Sequence, residues 1–320
     1  MKRNLAILLG MLISVAALVF GQAAKQANNA ALRYWMAFAQ MSDSQISPDD
    51  AGRIDAIVTG KAPWDESRFG ALIDQNRAAI ETMIRGTQLA FCEWGIEYDL
   101  GPEAPFAHLA KARTMARLDR LYAERLAASG DYDGAIRATV AGLRFAQHMA
   151  QNASFFGALT AKAALLTHLE EAQRLSETGR LTSIQLEMLR RATGALLPGG
   201  FDWQSSARME TIAMRDAMLA MSRTSDPKAL YREWLGDPPP GLHAPSKSET
   251  AELESTMAVY GKLLALPPGV ARNNLPALQK EISSLSPVAQ ALIPNPVRVL
   301  AARAEVVDAQ AATAKALGTR

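Results

Sequence analysis

The sequence is poor in the features that define several common protein classes. It contains a single cysteine, Cys92, so an intramolecular disulfide is impossible. Valine and isoleucine are sparse, and no six-residue segment alternates apolar and polar residues as half-buried strands do. Basic residues form no block, since 34 lysines and arginines are spread among 32 aspartates and glutamates. The composition therefore argues against a disulfide scaffold, a β-sheet protein and a nucleic-acid-binding protein.

Histidine is also scarce, and its spacing predicts no metal site. Zinc sites on helices use two histidines at i and i+4 with defined partners, and no such pair is present. The nearest approach is His168 beside Glu170 and Glu171, which a solvated helical face explains more simply. We therefore predict no metal ligands and no cofactor. The four histidines are His108, His148, His168 and His243.

The first 24 residues are typical of a signal peptide. Lys2 and Arg3 form a basic start, residues 5–20 are apolar, and small residues at 21–24 offer a cleavage site. The apolar run is slightly shorter than the roughly 20 residues that a membrane-spanning helix prefers. We therefore expect cleavage and export to the periplasm or the outside of the cell. An inner-membrane anchor formed by residues 5–20 is the alternative.

Apolar residues recur at helical spacing through the rest of the chain, so an all-α fold is predicted. Residues 65–91 carry the longest clean stripe before the centre of the chain, and Gly95 is expected to end that helix. Residues 107–150 predict two helices joined at Gly130, with Asp131 or Asp133 capping the second. So short a turn makes the two helices antiparallel. Hairpins of this kind would stack as an irregular α-solenoid or bundle.

The turn of this central hairpin, Gly130-Asp131-Tyr132-Asp133-Gly134-Ala135-Ile136, resembles that of a tetratricopeptide repeat. The resemblance covers one hairpin, residues 117–150. It implies that Ala135 is the small residue that lets the paired helices approach. The whole chain also resembles exported all-helical bacterial proteins, a likeness that implies no particular activity.

Three segments are predicted after the signal peptide. Residues 25–236 form a main helical domain, and residues 237–247 form a proline-rich linker, because Pro238-Pro239-Pro240 cannot lie inside a helix. Residues 248–320 form a C-terminal helical segment that packs on or beside the main domain.

Finer expectations concern helix faces and ends. Ser154 is predicted to cap a helix, and residues 154–197 are predicted to form a second hairpin. In the first helix, one apolar face is predicted to consist of Leu32, Trp35, Met36 and Ala39.

A loop rich in carboxylates and aromatic rings follows the long helix and is the predicted binding site. Loops carry function more often than helices do, and a carboxylate beside an apolar ring can act as an acid. In the alternative interpretation, the rings close the end of the bundle and the carboxylates face solvent. The candidate residues are Glu93, Trp94, Glu97, Tyr98, Asp99 and His108.

Two functions from different classes are compatible with these patterns. Paired helices without catalytic spacing favour a non-catalytic exported scaffold or interaction module that binds a protein or peptide. The alternative is a cell-wall-acting enzyme with its site on the acidic loop at Glu93–Asp99. Exported helical lytic transglycosylases use a single catalytic glutamate followed downstream by a Gly-Leu-Met-Gln run. Glu66-Ser67 is present here without that run, so no catalytic residue is assigned.

Overall fold

A computed structural model describes residues 28–42 and 46–318. The predicted signal peptide, residues 1–24, and the alternative anchor, residues 5–20, lie outside these ranges. Helices make up 75% of the described residues, and no strand occurs among them. The prediction of an all-α fold is confirmed. No helix within these ranges combines the length and the apolar character needed to cross a lipid bilayer.

Thirteen α-helices occur in the described residues, and a 3-10 helix, Tyr98–Glu103, precedes the fourth. In chain order they are α1 Ala30–Gln40, α2 Pro48–Val58, α3 Glu66–Gly86, α4 Ala107–Ala128, α5 Tyr132–Ala150, α6 Phe155–Glu177, α7 Ser183–Gly194, α8 Trp203–Arg223, α9 Pro227–Leu235, α10 Lys247–Ala265, α11 Pro268–Ser283, α12 Pro287–Leu292 and α13 Pro296–Ala316.

The central hairpin consists of α4 and α5, as predicted. Gly130 has a φ of +86°, a conformation that residues with a Cβ rarely adopt. Asp131 is the cap, because its Oδ1 accepts a hydrogen bond from the Gly134 N–H at 2.8 Å. Ala135 is fully buried where α5 packs on α4 and α6. The resemblance to a tetratricopeptide repeat stays a prediction.

The helix α3 ends earlier than predicted, at Gly86 rather than at Gly95. A Cβ added to Gly86 would lie 2.7 Å from the Tyr34 ring, so the glycine lets α1 cross the last turn of α3 closely. Thr87 closes that turn by donating its hydroxyl to the Ile84 carbonyl at 2.7 Å. The chain then leaves the helix and forms an extended loop.

The predicted apolar face of α1 is the exposed one. Leu32, Trp35 and Met36 are 51%, 41% and 48% exposed. Alanines on the opposite face let α1 lie close against α3, and the rings of Tyr34 and Phe38 fill the space between helices. Both faces of α1 are apolar, so the sequence pattern alone could not distinguish them.

The predicted second hairpin, residues 154–197, does not describe how these helices pack. The helix α7 packs more extensively on α5 than on α6, and Gln185 at its start donates to Asp133 of α5 at 2.7 Å. The helix α6 packs instead on α5 and on α13, and Gln173 donates to Thr313 of α13 at 2.8 Å. One side of α6 is therefore covered by the far end of the chain.

One continuous apolar core runs from α1 to α13. The proline-rich segment after α9 is non-helical, as its three prolines predict, and Leu242 within it is buried in this core. The helices after the linker thus share a core with those before it, since Tyr260 packs against Phe155 with ring centroids 5.3 Å apart.

Buried charges lie between α4 and α6. Arg120 is 1% exposed and pairs with Glu124 at 2.6 Å and with Glu171 at 2.9 Å. Arg174 pairs with Glu171 at 2.8 Å. Each buried charge therefore has an opposite charge beside it, which a low-dielectric interior requires.

A buried histidine–aspartate pair joins the same two helices. His168 and Asp119 are both fully buried, and the His168 Nε2 lies 3.0 Å from the Asp119 Oδ2. The prediction that His168 lies on a solvated helical face is wrong, because α5 covers it. A Cβ added to Gly142 of α5 would lie 2.0 Å from the His168 Nε2, so only glycine admits the ring.

Ala135→Trp should be far more damaging than Ala128→Trp. Ala135 is fully buried, whereas Ala128 is exposed at the end of α4. Inserting extra methylene groups into a well-packed core costs about 1–3 kcal/mol, and an indole is larger than such groups. Thermal unfolding of both variants tests this, and equal midpoints close to that of the wild type would contradict the packing of the central hairpin.

Gly142→Ala should lower the free energy of unfolding by about 1–3 kcal/mol, because the added methyl group meets the His168 ring. Gly52→Ala in α2 is the matched control, since a Cβ there meets nothing within 4 Å. An alanine in an open helix position stabilises by roughly 0.5–1 kcal/mol. Denaturant titrations should show a lower free energy of unfolding for Gly142→Ala and a higher one for Gly52→Ala. A stabilised Gly142→Ala variant would contradict the close approach of α5 to the His168 ring.

Candidate functional site

The predicted loop is fastened to the start of α1 by one side chain. The Asn29 Oδ1 accepts from the Glu93 N–H at 2.9 Å, and the Asn29 Nδ2 donates to the Glu93 carbonyl at 2.8 Å. The Ala30 N–H also donates to the Phe91 carbonyl at 2.8 Å. The loop is thereby held as an extended segment along the base of α1.

Trp94 fills the interior at the end of this segment. Its ring stacks on His108 at a centroid distance of 4.5 Å and lies parallel to Phe38 at 6.1 Å. Its Nε1–H donates to the backbone carbonyl of His148 at 2.9 Å. Burial lowers the pKa of His108 to about 4, so this imidazole is neutral at pH 7. Trp94 and His108 therefore form part of the core.

Tyr98 and Glu210 together cap the N-terminus of α6, and Glu210 was not among the candidates predicted from the sequence. The Ser154 N–H donates to the Tyr98 hydroxyl at 2.9 Å, and that hydroxyl donates to the Asn152 carbonyl at 3.0 Å. The Phe155 N–H donates to the Glu210 Oε2 at 2.9 Å. The Ser154 side chain makes no capping bond, so the predicted serine cap is replaced by these two groups.

The carboxylates of the predicted site lie apart from the buried rings. Glu97 and Asp99 are exposed, whereas Glu93 is half-buried and accepts from the Asn152 Nδ2 at 3.1 Å. The structure thus places Trp94 and Tyr98 inside the fold and brings Glu93 to its edge. Of the six candidate residues, Trp94, Tyr98 and His108 are buried, whereas Glu97 and Asp99 are exposed.

A polar groove lies immediately beyond Glu93, between the C-terminal half of α5 and the start of α8. Its volume is about 480 Å³. Gln147 and His148 lie three and four positions after Arg144 in α5, so these three residues share a helix face on one wall. Gln151, the residue that caps the C-terminus of α5, continues this wall. The opposite wall includes Asp202, Ser205 and Arg208.

The two arginines of the groove differ in their partners. Arg208 pairs with Asp202 at 3.5 Å. Arg144 is exposed and forms no ion pair with any described residue. The groove therefore carries one positive charge that the described part of the chain does not balance. An anionic ligand is the natural counterpart of such a charge.

His148 is 6% exposed, and its ring connects the groove to the core. The Tyr34 hydroxyl lies 2.5 Å from the His148 Nδ1. Burial, with a smaller contribution from the charge of Arg144, lowers the pKa of His148 to about 4. Burial also raises the pKa of Tyr34 well above its usual value. Both groups are therefore neutral at pH 7.

A second cleft, of about 510 Å³, is lined by Glu66, the glutamate of the Glu66-Ser67 pair. The Trp64 indole donates to Glu66 at 2.7 Å, and Arg125 donates to it at 2.6 Å. These hydrogen bonds hold the pKa of Glu66 below its usual value. A carboxylate so stabilised is ionised at pH 7 and is a poor proton donor.

Comparison of the chain with family models, curated proteins and solved structures returns no match. The groove was also missed by sequence reasoning, which treated His148 as an isolated histidine. A sequence signal exists in the polar residues Arg144, Gln147, His148 and Gln151, which recur at spacings of three and four at the C-terminal end of α5.

His108→Phe should make the free energy of unfolding less dependent on pH in the acidic range. The pKa of His108 is about 4 in the fold and about 6.5 in an unfolded chain, so only the unfolded chain gains a proton between these pH values. Stability is therefore lost as the pH falls from about 6.5 to 4, by up to about 3 kcal/mol for this group. Phenylalanine keeps the stacking on Trp94 and removes the titration.

Denaturant unfolding between pH 7 and 4.5 measures this difference. Equal pH dependence in the wild type and in His108→Phe would contradict the burial of this imidazole.

Proposed function

We propose that this chain is a non-catalytic helical interaction module that acts outside the cytoplasm and binds a protein or peptide in the groove beside α5. The observation that carries the proposal is the groove itself, which Arg144, Gln147 and His148 line without hydrogen-bonding to one another. Export rests on the signal-peptide pattern of residues 1–24.

The arrangement of the acidic residues supports binding over catalysis. A cell-wall enzyme of the alternative kind needs a protonated carboxyl group in an open cleft. Glu66 lies in such a cleft, but its pKa is lowered. Glu210 has a pKa raised by burial, yet its carboxylate is engaged in capping α6 through Phe155. No specific contact therefore favours the enzyme hypothesis.

Site-specific photo-crosslinking in the cells that make the protein tests this proposal. A benzophenone amino acid replaces Gln147, which lines the groove, or Ile184, which is 74% exposed on α7. We expect a protein or peptide adduct from position 147 and none from position 184.

A groove-blocking variant sharpens the experiment. Ala90 is exposed and lines the groove, so Ala90→Trp should abolish the adduct with little effect on folding. Ala128→Trp adds the same indole elsewhere on the surface and should preserve the adduct. No adduct at position 147, or an adduct that persists in Ala90→Trp, would reject the groove as a binding surface.

A further inference from the structure

The contact between Tyr34 and His148 bears on which ring nitrogen of His148 carries the proton. The Tyr34 hydroxyl lies 2.5 Å from the His148 Nδ1, and with the neutral tyrosine assigned as the donor this Nδ1 is the acceptor. A neutral imidazole that accepts at Nδ1 holds its proton on Nε2. No described residue accepts from this Nε2, and the residue lines the groove. His148 therefore presents an unused N–H donor from a position that is almost fully buried.

The charge and the donors of the groove match a singly charged oxyanion. Arg144 supplies one unbalanced positive charge, one turn before the imidazole of His148. Gln151, one turn further, uses its Oε1 to accept from the Cys92 N–H at 3.1 Å. Its amide is thus oriented, and its Nε2 is left as a further donor. Arg208 contributes less, because Asp202 already neutralises it.

We propose that the groove binds the carboxylate of a peptide, with Arg144 as its ionic partner and the His148 Nε2–H and Gln151 amide as hydrogen-bond donors. The inference rests on the proposed function and names the chemical group that is recognised. One unbalanced positive charge suits a carboxylate better than a phosphate dianion. A groove of about 480 Å³ has the size of a small-ligand site and admits a short peptide.

Nuclear magnetic resonance of the ¹⁵N-labelled histidine rings tests the proposal at the donor atom itself, the His148 Nε2. The probes are acetyl-Ala-Ala-Ala with a free C-terminal carboxylate and the same peptide as its C-terminal amide. We expect the free acid to shift the His148 Nε2 signal and the amide to leave it unchanged at the same concentration. Equal shifts from the two peptides, or a shift from neither, would overturn the proposal.

Arg144→Gln should weaken binding of the free acid at least tenfold, equivalent to about 1.4 kcal/mol. Arg137→Gln is the matched control and should change the affinity by less than threefold, because Arg137 is exposed two turns earlier on α5 and does not line the groove. Arg144 is exposed and makes no ion pair with described residues, so an unchanged thermal midpoint is expected and verifies folding. Equal effects of the two variants would count against the assignment of Arg144.

A competition experiment with inorganic phosphate tests whether the groove prefers a carboxylate or a phosphate. We expect phosphate to compete weakly with the peptide acid, whereas a shift from phosphate without one from the acid would overturn the proposal. Crosslinking from position 147 separates this inference from the proposed function. An adduct that persists in Arg144→Gln would keep the groove as a binding surface and reject the recognition of a carboxylate.

Discussion

The buried side chain of Trp94 joins three separate parts of the chain, and their packing depends on it. Its ring lies between Phe38 of α1 and His108 of α4, and its indole N–H is satisfied by the His148 carbonyl in the last turn of α5. A buried indole needs an acceptor, and the last turn of a helix offers carbonyls that the helix leaves free. His148 thus serves the core through its carbonyl and the groove through its ring, so any change that displaces Trp94 also disturbs the groove.

The buried ionic layer has a different role from the aromatic cluster. Arg120 with its two glutamates adds little net stability, because removing charges from water offsets most of their attraction. Only one register of α4 against α6 brings Arg120 to Glu171 and Asp119 to His168. Apolar faces rich in alanine pack in many registers, and these polar contacts select one of them.

The sequence predicted the local structure better than the long-range packing. The all-α fold, the turn at Gly130 and the Asp131 cap were correct, because caps and glycine turns depend on neighbouring residues. The buried face of α1 is chosen by its packing on α3, and α6 pairs with α13 more than one hundred positions away, contacts that periodicity does not encode. The same limit applies to the site. Local sequence did not show that the rings of Trp94 and Tyr98 are buried in the core, or that α5 and α8 pack together to form the groove.

The packing of α13 on α6 has a consequence for the order in which the protein is made and folded. The Arg190 Nε donates to the Leu317 carbonyl at 2.7 Å, and Thr313 is buried beside α6. Synthesis proceeds from the N-terminus, so α6 leaves the ribosome long before the helix that covers it. The side of α6 that α13 covers stays open until nearly the whole chain is available, so this part of the core is completed last.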